Sequence, residues 1–484
     1  MAGKHQTAGI CLPEGHTGST FFHQVLQEAV AAFPAVFRGV ELPSARQFRR
    51  TYGETVVQFE AARAASPQRS EVARFVVDRT RQLLRYQGHG FDGSLRDYLA
   101  GEEQAPVLQR QPLAGRAGLD PLIPFHGEDY RGAAVAELAG ALLQERKITR
   151  AAATALSRIA AGGTIDLRGQ KFVIFGAAAE IAPTPLLLAA GASVLWVDLQ
   201  SPDDLLHRQP GLAGELVLAD GARDILAEPR RILAAIRAFA ADGDPVHVGM
   251  FAYAPGASQE WRLAAAMNAL VSSLDPGIVA SVSMFVSPTS AAVIQPEDVS
   301  GSGTVFAERP FWQSALRTVG QLREEAGVQV GDTRVARAIV PIQGVSYQAA
   351  QYISKMLAAE VFATRGIGPD GGERPVRVSA NVAGITKTRS LNHPVFEAAF
   401  LGADRFGVEV FEAGTTRALS GLLVLHDLLH GPATPGDVRD LFARQVHGGI
   451  YSRPYSLYPM IRVAALMGMA RRPGLLLKAL QGGG

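Results

Sequence analysis

Cysteine is almost missing from this chain: Cys11 is the only one in 484 residues. That excludes an intrachain disulfide framework and points to a reducing, cytoplasmic setting. Net charge is missing too. Lysine and arginine total 47 and aspartate and glutamate 45, a balance of +2, which gives no global pull toward nucleic acid. No long hydrophobic run is present either. The most apolar stretch, Phe172–Val197, is broken by Glu180, Pro183 and Pro185, and reads as strand, helix and strand instead of a membrane span. The opening residues MAGKHQTAGICLPEGH carry a lysine but no apolar core, so no secretory signal is expected. There is no internal repeat, and the only low-complexity tract is the terminal Gly-Gly-Gly.

What the chain does have is apolar residues, 47% of the total. Its length allows two or three units at about 100–200 residues each. Residues 1–165 read as a mainly helical N-terminal domain, because Phe21–Phe33, Arg69–Tyr86 and Gly132–Ala161 space their apolar residues by three and four. Gly88–Pro124, rich in Gly, Pro and Gln, reads as loop. Residues 166–432 alternate β-branched runs with helical stretches. The runs are Lys171–Phe175, Ser193–Val197, Glu215–Ala219, Val246–Phe251, Ile278–Val286 and Val376–Val382. This pattern predicts an α/β fold, a doubly wound parallel sheet covered by helices on both faces. Residues 433–484 read as a separate basic tail.

Chemistry concentrates after the first of these strands, in GQKFVIFGAAAEIAPTPLLLAAGASVLWVDL. A buried strand enters a tight turn at Gly176. Small residues follow, then an apolar helix and a second strand ending in Asp198. Little bulk at such a turn lets backbone N–H groups and a helix N-terminus approach a diphosphate. An acid 22 positions past the glycine is placed to accept from an adenine-ribose hydroxyl, which favours NAD while leaving NADP possible. Ordinary turn chemistry is the alternative.

Over about 250 residues the order of elements resembles the short-chain dehydrogenase/reductase family, and the resemblance implies a Rossmann-like dinucleotide-binding fold. In that register Gly176, Ala177, Glu180 and Ile181 occupy the family's glycine turn. Asp220, in LVLADG, stands for the acid near the adenine. Ala254, in FAYAPG, stands in the fourth-strand turn. Gly384 and Thr388, in VRVSANVAGITKT, stand beside the nicotinamide. The resemblance also implies a catalytic set of tyrosine, lysine and serine with an accessory asparagine. Tyr347 in GVSYQAAQYISK is the candidate acid, Ser287 in SVSMFVSPTS the candidate substrate-orienting serine, and Asn268 in WRLAAAMNAL the asparagine. The family's lysine lies one helical turn after the tyrosine. Here that position is Gln351, and Lys355 stands two turns on. Tyr352 with Lys355 is a second possible pair. Ser287 and Tyr347 lie 60 positions apart, much more than the family's usual gap. An enoyl reductase of the same fold is a variant reading, since FAYAP and the longer tyrosine–lysine interval are similar to that branch.

Glu180 departs furthest from the pattern, since a carboxylate at a diphosphate site repels the ligand. Either it points away, to solvent or to an arginine of residues 1–165, or it fills the site of a chain that has become a catalytically degenerate binding or scaffold protein. Arg38–Arg85 holds ten arginines against five acids, which is either a set of solvated faces or a receiver for an anionic handle. His426 and His430 share a helix face without a third ligand nearby, and no metal is expected. After Asp440 the tail has no acid. Its Arg444, Arg453, Arg462, Arg471, Arg472 and Lys478 are interleaved with Tyr451, Tyr455 and Tyr458. Such a segment packs as an ordinary helix, makes peripheral contact with an anionic membrane surface, or caps an apolar pocket for a lipid-like or carrier-bound acyl substrate. The family resemblance implies a homo-oligomer through the helices around Asn268 and Tyr347, unless the added N-terminal part blocks that face.

Overall fold

The computed structural model describes residues 8–256, 258–367, 376–389, 394–431 and 437–475. Its centre is a seven-stranded sheet: β1 (Leu108–Pro112), β2 (Lys171–Phe175), β3 (Ser193–Val197), β4 (Glu215–Ala219), β5 (Val246–Met250), β6 (Val279–Val286) and β7 (Arg377–Val382). The spatial order is β7-β6-β5-β2-β3-β4-β1. Every pairing from β7 to β4 is parallel, and β1 joins β4 antiparallel. The parallel part is doubly wound, with its change of winding direction between β2 and β5. The six β-branched runs of the sequence are its six parallel strands. Side chains alternate between two covered faces, as the apolar continuity of these strands requires. Val173, Phe175, Leu195 and Val197 enter one core, and Phe172, Ile174, Val194 and Trp196 enter the other.

The first core does not stop at residue 165. Phe21, Phe48, Phe59 and Val76, from the helices Gly18–Ala32, Ala45–Ala64 and Arg69–Leu83, belong to the same apolar cluster as β2 and β3. These helices form a further layer over the helices Gln259–Ser272 and Val345–Gln351 and the turns that continue the latter to Arg365. The Phe21 and Trp261 rings lie 4.6 Å apart between centroids. The contact is also ionic: Arg63, fully buried, sits between Glu60 and Glu360, and the Tyr352 hydroxyl donates to Glu60 Oε2 at 2.6 Å. Burying such a set is tolerable only because each charge is paired. The face that the family resemblance offers to a second copy is therefore covered by this chain's own helices.

Three expectations change here. The first 165 residues are not simply helical: Gly88–Pro124 is more than loop, because it supplies β1, the short strand Phe91–Ser94 and the helix Leu95–Ala100. Residues 8–165 also share both cores with the sheet, since Val135, Leu138, Leu156 and Ile159 belong to the second. The tail is not separate. Arg444 O accepts from the Val382 N–H and Val446 N–H donates to Val382 O, extending the end of β7, while Tyr451 and Tyr455 are buried. The stretch GLLLKAL lies mostly outside the described residues. Among the described residues no helix is long and apolar enough to cross a membrane.

Candidate functional site

At the β2/β5 switch point the connections leave toward opposite faces, the position at which doubly wound sheets generally hold a ligand crevice at their strands' carboxyl ends. Gly176 begins the turn there with φ of +77°. A Cβ at this position would stand 2.3 Å from the Ala252 backbone, so glycine is required by both conformation and space. Asp198, at the end of β3, accepts from the Ala178 N–H (Oδ2, 3.0 Å) and the Gln200 N–H (Oδ1, 2.9 Å). It fastens the turn to the neighbouring strand.

The apolar helix expected directly after Gly176 starts late. Ala179 and Ala182 donate back within the loop, and only Thr184–Ala189 is helical. Pro183 and Pro185 flank its start and carry no N–H. Part of the backbone donor set of a diphosphate cradle is thus absent or already used. Glu180 is held, but by no residue of the N-terminal part. Its carboxylate pairs with Arg389 Nε at 3.0 Å and accepts the Arg389 N–H at 2.9 Å, and Arg417 Nε donates to the Glu180 carbonyl at 2.8 Å. Partial burial lowers the Arg417 pKa from its ordinary value. Ala177 is buried, and its carbonyl accepts from the Thr184 hydroxyl. Ile181 and Ala254 are half-buried at the crevice edges. Asp220 is exposed at the end of β4 and accepts from Gln109 Nε2 at 2.9 Å. Gly384 lies against Phe411, where a Cβ would stand 2.5 Å from the ring. Thr388 is half-buried farther along that loop.

The candidate catalytic residues divide. Ser287 and Tyr347 come together: Ser287, Thr289 and Gln343 are the polar neighbours of the Tyr347 hydroxyl. Ser287 Oγ and Thr289 Oγ1 lie 2.8 Å apart, and Thr289 Oγ1 donates to Gln343 Oε1 at 2.8 Å. Burial raises the Tyr347 pKa above its ordinary value, with the three polar neighbours pulling weakly the other way. The Tyr253 ring meets it edge-on, 6.3 Å between centroids.

Lys355 does not join them. Its Nζ donates to Phe285 O at 2.9 Å, and burial pushes its pKa down to about 8. Residues Tyr352–Leu357 form a π-helical turn, a widening that changes which side chains share a face. Gln351, in the family's lysine position, accepts the Ser287 N–H through Oε1 at 2.9 Å. The alternative Tyr352–Lys355 pair is not formed, since Tyr352 is spent on Glu60. Asn268 donates to Ser354 O at 2.9 Å from a buried position and so joins two helices, far from an exposed substrate-facing role.

Thr289 and Gln343 also line an otherwise apolar pocket. Its walls include Phe396, Phe400, Phe406, Met460 and Ile461, from the helices Pro394–Ala403 and Leu457–Arg471 and the turn between the first of these and Val408. The tail's helix packs closely on Pro394–Ala403, and its Leu457, Met460, Ile461 and Ala464 line the pocket. Several of its basic residues are engaged within the chain: Arg444 with Asp427, Arg471 with Asp404 and Arg472 with Glu397. Sequence reasoning missed Thr289, Gln343, Arg389 and Arg417. Thr289 was within reach, two positions after Ser287 in SPTS, whereas the other three are brought in by long insertions and by the helix Ala413–His430. No protein-family profile, curated protein or solved structure matches the chain.

Proposed function

We propose that this chain is an NAD(P)-dependent oxidoreductase acting on a carbonyl or its alcohol, with reduction of a conjugated double bond as the variant reaction. One observation carries the reading: Ser287 and Tyr347, distant in sequence, meet beside Thr289 and Gln343, which line an apolar pocket past the carboxyl ends of a doubly wound sheet. The crevice suits a dinucleotide in part. Gly176 and Ala177 would line the diphosphate, Asp198 would hold the ribose, and Gly384 and Thr388 would flank the nicotinamide. With Glu180 displaced, Arg389 and Arg417 would supply the cationic partners that the shortened helix does not. Once bound, the nicotinamide supplies or accepts the hydride. Tyr347, kept protonated by burial, donates its hydroxyl hydrogen to the substrate oxygen as charge develops there. Ser287 and Thr289 orient that hydroxyl.

A second reading, a binding protein that has lost catalysis, is favoured by two contacts. Glu180 occupies Arg389, and Lys355 is turned to Phe285 O instead of the tyrosine. Fluorescence titration with NADH and NADPH separates the two. The enzyme reading expects saturable binding, weakened at least tenfold by Asp198→Ala. Absence of binding by either nucleotide leaves the second.

A further inference from the structure

The pocket's composition constrains what enters it. Among the described residues no charged side chain lines it, and Thr289 and Gln343 are its polar wall residues. An ionised group placed there would lose its hydration with no opposite charge to meet it. The portion of a ligand inside must therefore be uncharged and apolar. Where Gln343 and Thr289 line it the requirement reverses, because these two, with the Tyr347 hydroxyl beside them, offer neutral hydrogen-bonding groups suited to a single carbonyl.

The outer wall is firmly built. A Cβ on Gly402 would stand 1.9 Å from Ala464 O, and one on Gly468 the same distance from Ala398 O. The two helices therefore pack backbone to backbone through their small residues. Arg471–Asp404 and Arg472–Glu397 clip their ends. A wall held at this separation sets a limit on ligand length.

We infer that the pocket between Pro394–Ala403 and Leu457–Arg471 takes a linear, uncharged aliphatic chain carrying one neutral carbonyl, with the carbonyl at the Gln343–Tyr347 end. The assignment of that carbonyl as the reacting group rests on the oxidoreductase reading, whereas the binding itself does not. Two sources share this chemistry: a free aliphatic ketone, and an acyl thioester whose carrier stays outside.

The test uses the full chain without nucleotide. Calorimetric titration is made with the linear ketones from hexan-2-one to dodecan-2-one, and in parallel with S-acyl-N-acetylcysteamines of matching chain. Affinity should tighten about fourfold per added methylene until the pocket is full. The better-binding series identifies the source. Gln343→Met should weaken every member by the same factor, about fivefold. Ala464→Phe should cut the series off at a shorter chain, and Ala399→Phe on the facing helix carries the same test should the first variant unfold. A flat dependence on chain length overturns the inference, as does a folded Ala464→Phe protein with an unchanged length limit. A normal length series in a chain that binds no nicotinamide nucleotide would sink the oxidoreductase reading and leave the pocket assignment standing.

Discussion

Glu180 and Arg389 join the loop that follows β2 to the loop that follows β7, through a side-chain ion pair at 3.0 Å and a backbone N–H at 2.9 Å. The elements that follow the two loops also pack together, with Gly421 against Leu186 and Pro183. On the oxidoreductase reading proposed above, the glutamate takes the place that the ligand's diphosphate would occupy. Arg389 is largely exposed while Glu180 is partly shielded, so the pair is a weak tie that a multiply charged ligand can outcompete.

Replacing the carboxylate should make that competition unnecessary. Glu180→Gln is expected to tighten NADH binding about tenfold, equivalent to about 1.4 kcal/mol, with a smaller gain at high salt. Equal or weaker binding in the variant, measured by fluorescence titration, would remove Glu180 from the site.

Tyr347 should act as a donor throughout the neutral range, because burial raises its pKa. Tyr347→Phe is expected to lower kcat on a turned-over carbonyl substrate by about a hundredfold or more. The wild-type reduction rate should show no fall attributable to tyrosine ionisation below about pH 10. A Phe variant with full kcat rules the hydroxyl out of the reaction.

Lys355 predicts a stability profile. Burial lowers its pKa from 10.5 to about 8, so between those values the unfolded chain holds a proton that the folded chain has released. Stability from this group rises with pH across that window, and below it the buried ammonium costs its full penalty. Lys355→Met should remove the rise. The difference between wild type and variant in urea unfolding should shrink by about 2–3 kcal/mol from pH 8 to pH 10. A difference independent of pH contradicts the assignment.

The Glu60–Arg63–Glu360 set should behave as a unit. Arg63→Met leaves two buried carboxylates facing one fewer cation, and is expected to destabilise the chain by about 3–5 kcal/mol in urea unfolding. A loss under about 1 kcal/mol would mean that water reaches these groups.

Much of the sheet is visible in the residues themselves. KFVIF, SVLWV and VHVGM are buried on both faces, and only parallel strands covered from both sides produce such runs in alternation with helices. β1 is not visible that way. Leu108–Pro112 is mostly exposed and polar, because an edge strand needs backbone partners more than side-chain burial. The site divides along similar lines. Ser287 lies directly past a strand and Tyr347 opens a helix, so local pattern places both. Lys355 is misplaced by the π-helical turn, which changes the face of a helix without any mark in its spacing. Arg389 and Arg417 reach Glu180 through tertiary contacts more than 200 positions apart in sequence, a range over which periodicity carries no information.

The shared core of the N-terminal helices and the sheet has a practical outcome for anyone dissecting the chain. Cutting near residue 165 would strip β1 from β4, leaving an open strand edge able to pair with other molecules. It would also uncover Trp261 and its apolar neighbours at once. Such a fragment should aggregate more readily than the intact chain, because the first third of the polypeptide is the lining of the remainder.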